Sequence, residues 1–148
     1  MNKRREQEIW RFRRIALRRF DDAQVLFAAD RFTAATYFAG YSVECMLKAL
    51  VISVTPDGQV EELVRSFTGN KAHNYEWLKN KYSEMTKGKR TRKGQMPFPM
   101  AIKSRVSFSL IAAWTTELRY DPGEMREEEA RSFLNAVREV VAELQGRL

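Results

Sequence analysis

The side chains of this sequence that could do chemistry fall into three small constellations and one polar stripe. His73 is the only histidine, and so the only side chain whose ordinary pKa lies near neutrality. Any general acid or base working at physiological pH would most simply be this residue. It stands directly before Asn74 and YEWLKNKYSEM, where a histidine also serves to cap a helix or pack against its start. In TELRYDP, Glu117, Arg119 and Tyr120 close a helical run. The dipole favours an arginine there, and its fixed charge suits bidentate recognition of a carboxylate or phosphate. Arg119 could thus reach Glu44 structurally or a phosphate functionally. Tyr37, Tyr41 and Tyr75 offer hydroxyls, although aromatic residues at helical spacing are more often core.

The stripe consists of Thr33, Thr36, Gly40, Glu44 and Lys48, spaced three or four apart on an otherwise greasy helix. A helix apolar nearly all round is the buried centre of a domain, so a Glu and a Lys on it need partners. They have each other at i, i+4 with Glu first, the favourable order. Either the pair locks a bundle, or the stripe meets a ligand, a second subunit or nucleic acid.

Several chemistries are disfavoured. One His and one Cys on different elements cannot build a zinc site, so no metal is expected, and no cofactor either. Neither a glycine-rich phosphate loop nor a nucleophile elbow occurs. Cys45 has apolar neighbours and reads as a core thiol, in keeping with a reducing, cytoplasmic setting. The basic N-terminus lacks an apolar signal core and no long apolar run follows, so neither export nor a membrane span is expected.

The net charge of +7 is unevenly spread. Eight basic residues, Arg4 and Arg5 among them, lie in the first nineteen, and Lys87, Lys89, Arg90, Arg92 and Lys93 cluster in KGKRTRKG. Such patches favour acidic partners, nucleic acid included, through counterion release. Neither cluster reads as carrying the interleaved exposed aromatics on which single strands stack.

Residues 1–29 read as one long helix with the apolar line Ile9, Phe12, Ala16, Phe20, Ala23 and Phe27. Its charged first turns, residues 1–12, are expected to project as a basic arm. A short turn at Asp30 and Arg31 sends the chain back as the central helix to about Ser53, before Pro56, Asp57 and Gly58. A short helix follows with Asp57 as N-cap, and a second carries Tyr75, Leu78, Tyr82 and Met85. Residues 87–99 read as a flexible basic loop. A third long helix spans Met100 to Tyr120, and a last one, about Arg126 to Gln145, has three glutamates at its start. The result is one all-α domain, residues 1–148. Its expected architecture is an up-and-down four-helix bundle with one or two short helices inserted between the second and third long ones.

Four parts of the chain, in order, resemble the HEPN domains (higher eukaryotes and prokaryotes nucleotide-binding). Residues 18–50 are similar to that family's first hairpin, whose signature is a Glu, two residues, then Leu-Lys, here Glu44, Leu47 and Lys48. HNYEWL resembles its His-containing segment, ELRYDP its Arg-Tyr turn, and the final helix with Ala130 its closing helix. The resemblance covers roughly residues 13–145. It implies a bundle that commonly forms a homodimer and often sits beside a nucleotidyltransferase partner in toxin-antitoxin or defence pairs. Other members bind nucleotides, and many are metal-independent RNases. Those RNases carry an arginine a few residues before a histidine, across the dimer interface. Here the nearest arginine upstream of His73 is Arg65, with seven residues between, though a dimer could still converge Arg119 and His73.

The expected function is a non-catalytic HEPN-like module that binds a nucleotide, RNA or a nucleotidyltransferase. Glu44, Lys48, Arg119 and Tyr120 would form its ligand site, with Arg4, Arg5, Lys89, Arg90, Arg92 and Lys93 as nucleic-acid contacts. The alternatives are a metal-independent RNase toxin using His73, with Arg119 beside it, and a purely structural helical adaptor.

Overall fold

In the computed structural model, which describes residues 3–69, 75–86 and 123–148, the N-terminal apolar line does what its spacing demands. Helix α1 spans Lys3–Ala28 and buries Phe12, Ala16 and Ala23, with Ile9, Phe20 and Phe27 partly buried against the core. It stops in a Schellman turn, where the Arg31 N–H donates to the Leu26 carbonyl at 2.9 Å and the Asp30 N–H to that of Phe27 at 3.0 Å. The turn requires a left-handed residue, and Asp30 supplies it at φ 60°. Aspartate is among the few non-glycine types that tolerate this region.

Helix α2, Phe32–Ser53, then runs back along α1. Mid-helix, the Ser42 hydroxyl donates to the Ala16 carbonyl at 2.7 Å, fixing the register of the two. From Ser42 to Ser53 every residue of α2 is buried. The core forms on this half because the other helices gather round it: among the described residues α2 packs against α1 and against three later helices.

No side chain of Arg31 caps α2. The cap comes from 91 residues away, where the Glu124 carboxylate accepts the Thr33 N–H at 2.8 Å. In return, the Thr33 hydroxyl accepts the Met125 N–H at 2.8 Å. The exchange resembles a capping box, built between distant parts of the chain.

After α2, a 3-10 turn at Asp57–Gln59 leads into α3, Val60–Ser66, with Val60, Leu63 and Phe67 buried. Asp57 makes no side-chain cap. Its carboxylate instead pairs with Arg5 of α1, whose guanidinium also donates to the Thr55 carbonyl. The expected projecting arm is therefore tied to the bundle at Arg5, because one guanidinium satisfies both groups at the end of α2. Helix α4, Tyr75–Thr86, buries Tyr75, Leu78 and Tyr82.

Helix α5, Glu127–Gly146, carries glutamates at all three positions of its first turn that face the dipole. It buries Ala130, Phe133, Leu134, Val137, Val140, Val141 and Leu144, the face its spacing predicts. Two of its arginines cover the rim of α1: Arg131 lies 5.2 Å from the Phe27 ring centroid and Arg138 5.5 Å from that of Phe20. The all-helical class therefore stands. The third long helix, the loop at 87–99 and the Asn74 cap lie outside the described residues. Among the described residues no helix is long and apolar enough to cross a membrane.

Candidate functional site

The polar stripe folds into the middle of the molecule. Thr36, Gly40, Glu44 and Lys48 are buried, and Thr33 is half-buried at the end fastened by Glu124. Lys48 Nζ donates to Glu44 Oε2 at 2.9 Å, with the two side chains only 5% and 4% exposed. Burial at this level removes the water that screens a surface pair.

Two aromatic residues complete the seal. The Lys48 ammonium lies 5.3 Å from the Phe67 ring centroid and 6.0 Å from that of Phe12. Those rings meet edge to face at 5.5 Å. A π-face accepts a cation that has lost its water, so helices from three parts of the chain converge on one ammonium group. Further up the stripe, the buried Tyr75 hydroxyl of α4 donates to the Gly40 carbonyl. Gly40 is thus both a small residue and an acceptor beneath an incoming tyrosine, which makes Tyr75 core.

Tyr37 and Tyr41 take the opposite position and remain 48% and 37% exposed. Tyr41 nevertheless touches Cys45, and that neighbour together with burial pushes its hydroxyl up to about 12. Cys45 is free and buried. Burial, then the nearby Glu44 carboxylate, pushes its thiol up to about 11, which leaves an inert core group at neutral pH.

A cleft of about 280 Å³ lies elsewhere, lined by Gln59, Glu62, Ser66, Trp77 and Lys81 among others of α3 and α4. Among the described residues Glu44 and Lys48 form a buried ion pair within one helix. His73, Arg119, Tyr120, Lys89, Arg90, Arg92 and Lys93 lie outside these residues. So does the question of Glu44 meeting Arg119.

The cationic surface of α1 is the other candidate. Between Glu8 and Asp21 this helix carries Arg11, Arg13, Arg14, Arg18 and Arg19 and no acidic residue. Arg11, Arg13, Arg14 and Arg18 are exposed. Arg4 and Arg11 both approach Glu8, at 3.7 and 2.9 Å, with their own side chains 50% and 52% exposed. Arg5 is committed to Asp57 and Thr55 and faces the bundle.

One expectation about this cluster needs correcting. Trp10 is 61% exposed, with the Arg14 guanidinium 5.2 Å from its ring centroid. An exposed aromatic is therefore interleaved with the arginines. The apolar line through Phe12 defines the buried face, and Trp10 lies off it; that offset was the available sequence signal.

Among the described residues no group of His, Cys, Asp and Glu could hold a metal ion. A family model described as HEPN domain matches residues 9–147. No curated protein and no solved structure matches the chain.

Proposed function

Given that this chain belongs to the HEPN family, we propose that it is a non-catalytic helical module that binds RNA through the outer surface of α1. The observation that carries this reading is the run from Arg11 to Arg19, which shows four exposed arginines to solvent with no acidic residue interrupting it. Phosphates neutralised by such a surface release counterions, which supplies affinity without base contacts. The buried Glu44–Lys48 pair holds the bundle that displays this surface. Arg4, Arg11 and Arg18, seven residues apart, follow one flank of the helix and could track a phosphate backbone.

The test is fluorescence anisotropy with a single-stranded RNA across a salt series in EDTA. Log affinity should fall linearly with log salt, and R11Q or R18Q should each reduce the slope by about 0.7. Absence of binding at low salt, or a slope untouched by either change, would sink this proposal. The same incubation distinguishes the enzymatic alternative: cleavage that disappears in His73→Ala would replace an RNA-binding module with a metal-independent RNase.

A further inference from the structure

The cleft of about 280 Å³ has two walls of different chemistry. From α3 and the 3-10 turn before it come Gln59, Glu62 and Ser66, spaced three or four residues apart and exposed. The second wall is a stripe of α4, Trp77, Lys81 and Met85, each four residues from the next and each half-buried. Buried Leu63 and Thr55 line the space as well. The Thr55 hydroxyl is spent on the Val51 carbonyl at 2.7 Å and the Ser66 hydroxyl on the Leu63 carbonyl at 2.5 Å. What the cleft offers a ligand is therefore chiefly its two charged side chains and its apolar surface.

Both charges are open to a partner. Glu62 has no ion pair among the described residues, whereas the neighbouring Glu61 is taken by Arg65 at 2.9 Å. Lys81 reaches only Glu84 of its own helix, at 4.0 Å, and its side chain is 34% exposed. A solvated pair that long gives way at little cost. The Lys81 ammonium also lies 5.7 Å from the Trp77 ring centroid, so a group held by Lys81 brings its attached body beside the indole.

We propose that this cleft binds a free α-amino acid with an apolar side chain. Glu62 receives the ammonium, Lys81 receives the carboxylate, and the side chain lies among Trp77, Met85 and Leu63. With one acid and one base in the lining, a zwitterion satisfies both, whereas a polyphosphate meets a single cation and a repelling carboxylate. Size agrees with this choice: 280 Å³ is at the small end of ligand sites, which run roughly 300–1,000 Å³. The indole offers a flat apolar wall and the thioether an adaptable one. The site goes beyond the RNA reading and stands without it.

Titration calorimetry of the full chain without RNA tests the site, at about pH 6.5 where an α-amino group is charged. The probes are L-phenylalanine, its amide, which lacks the carboxylate, and phenylpropionate, which lacks the ammonium. L-Phenylalanine should bind one to one with Kd about 0.1–1 mM, and each of the other two about ten-fold more weakly. K81Q should erase the preference over the amide alone, and E62Q the preference over phenylpropionate alone. Circular dichroism melts confirm that both variants fold. No saturation by L-phenylalanine up to about 10 mM would overturn the proposal. So would equal binding of all three probes, or preferences indifferent to both substitutions. ATP that binds more tightly than L-phenylalanine and competes with it would also overturn it, giving the cleft to a nucleotide. Loss of RNA binding with these preferences intact would count only against the RNA reading.

Discussion

At the residue scale, the buried Glu44–Lys48 pair is the feature whose removal is most informative. Taking away one partner leaves a charge in a site sealed by Phe12 and Phe67. Lys48→Met is therefore expected to cost about 3–5 kcal/mol, a large share of the stability of an ordinary domain. The double change Glu44→Leu with Lys48→Met should recover most of it, because both desolvation penalties vanish together. Urea midpoints check this, and a double variant as weak as the single would contradict the structural role. Cys45 gives a second expectation. Its folded thiol titrates near 11 against an ordinary 9.0, so between those values the folded state holds a proton that the unfolded chain has lost. Stability should fall as pH rises through that window, and less so in Cys45→Ala. Below pH 8 a thiol reagent should label Cys45 only through opening of the fold, at a rate that follows the open population.

At the element scale, two helix ends depend on single residues. Asp30 holds a left-handed conformation between α1 and α2, so Asp30→Gly should stabilise by about 0.5–1 kcal/mol, and Asp30→Val should destabilise by at least as much. Thermal melts read both signs. Glu124 caps the Thr33 N–H, and Glu124→Ala should cost about 1 kcal/mol through lost hydrogen bonding and dipole stabilisation. These two cases also show how far sequence reasoning reaches. The apolar lines of α1, α2 and α5 were legible because helical burial is periodic, and the stripe was legible because a Glu and a Lys interrupt that apolar periodicity. The Glu124 cap was not, because spacing carries no information about a partner 91 residues distant. For the same reason Asp57 read as a local cap when its carboxylate in fact serves Arg5.

At the scale of the whole molecule, the candidate site was less legible than the fold. Charge counting located the cationic cluster of α1, yet which arginines are committed inward depends on tertiary contacts such as Arg5 with Asp57 and Thr55. Trp10 was overlooked because a helix pattern is read for the face that the chain itself buries. The RNA proposal concerns the remaining face, and salt dependence is its measure. The burial of α2 has a further consequence, for motion. Its amides from Ser42 to Ser53 are enclosed by helices on several sides, so no local fraying exposes them. Their hydrogen–deuterium exchange should require opening of the entire bundle and report its global free energy, whereas amides near the start of α1 exchange through smaller openings. Lys48→Met should then accelerate exchange along that whole stretch together, as a single cooperative unit.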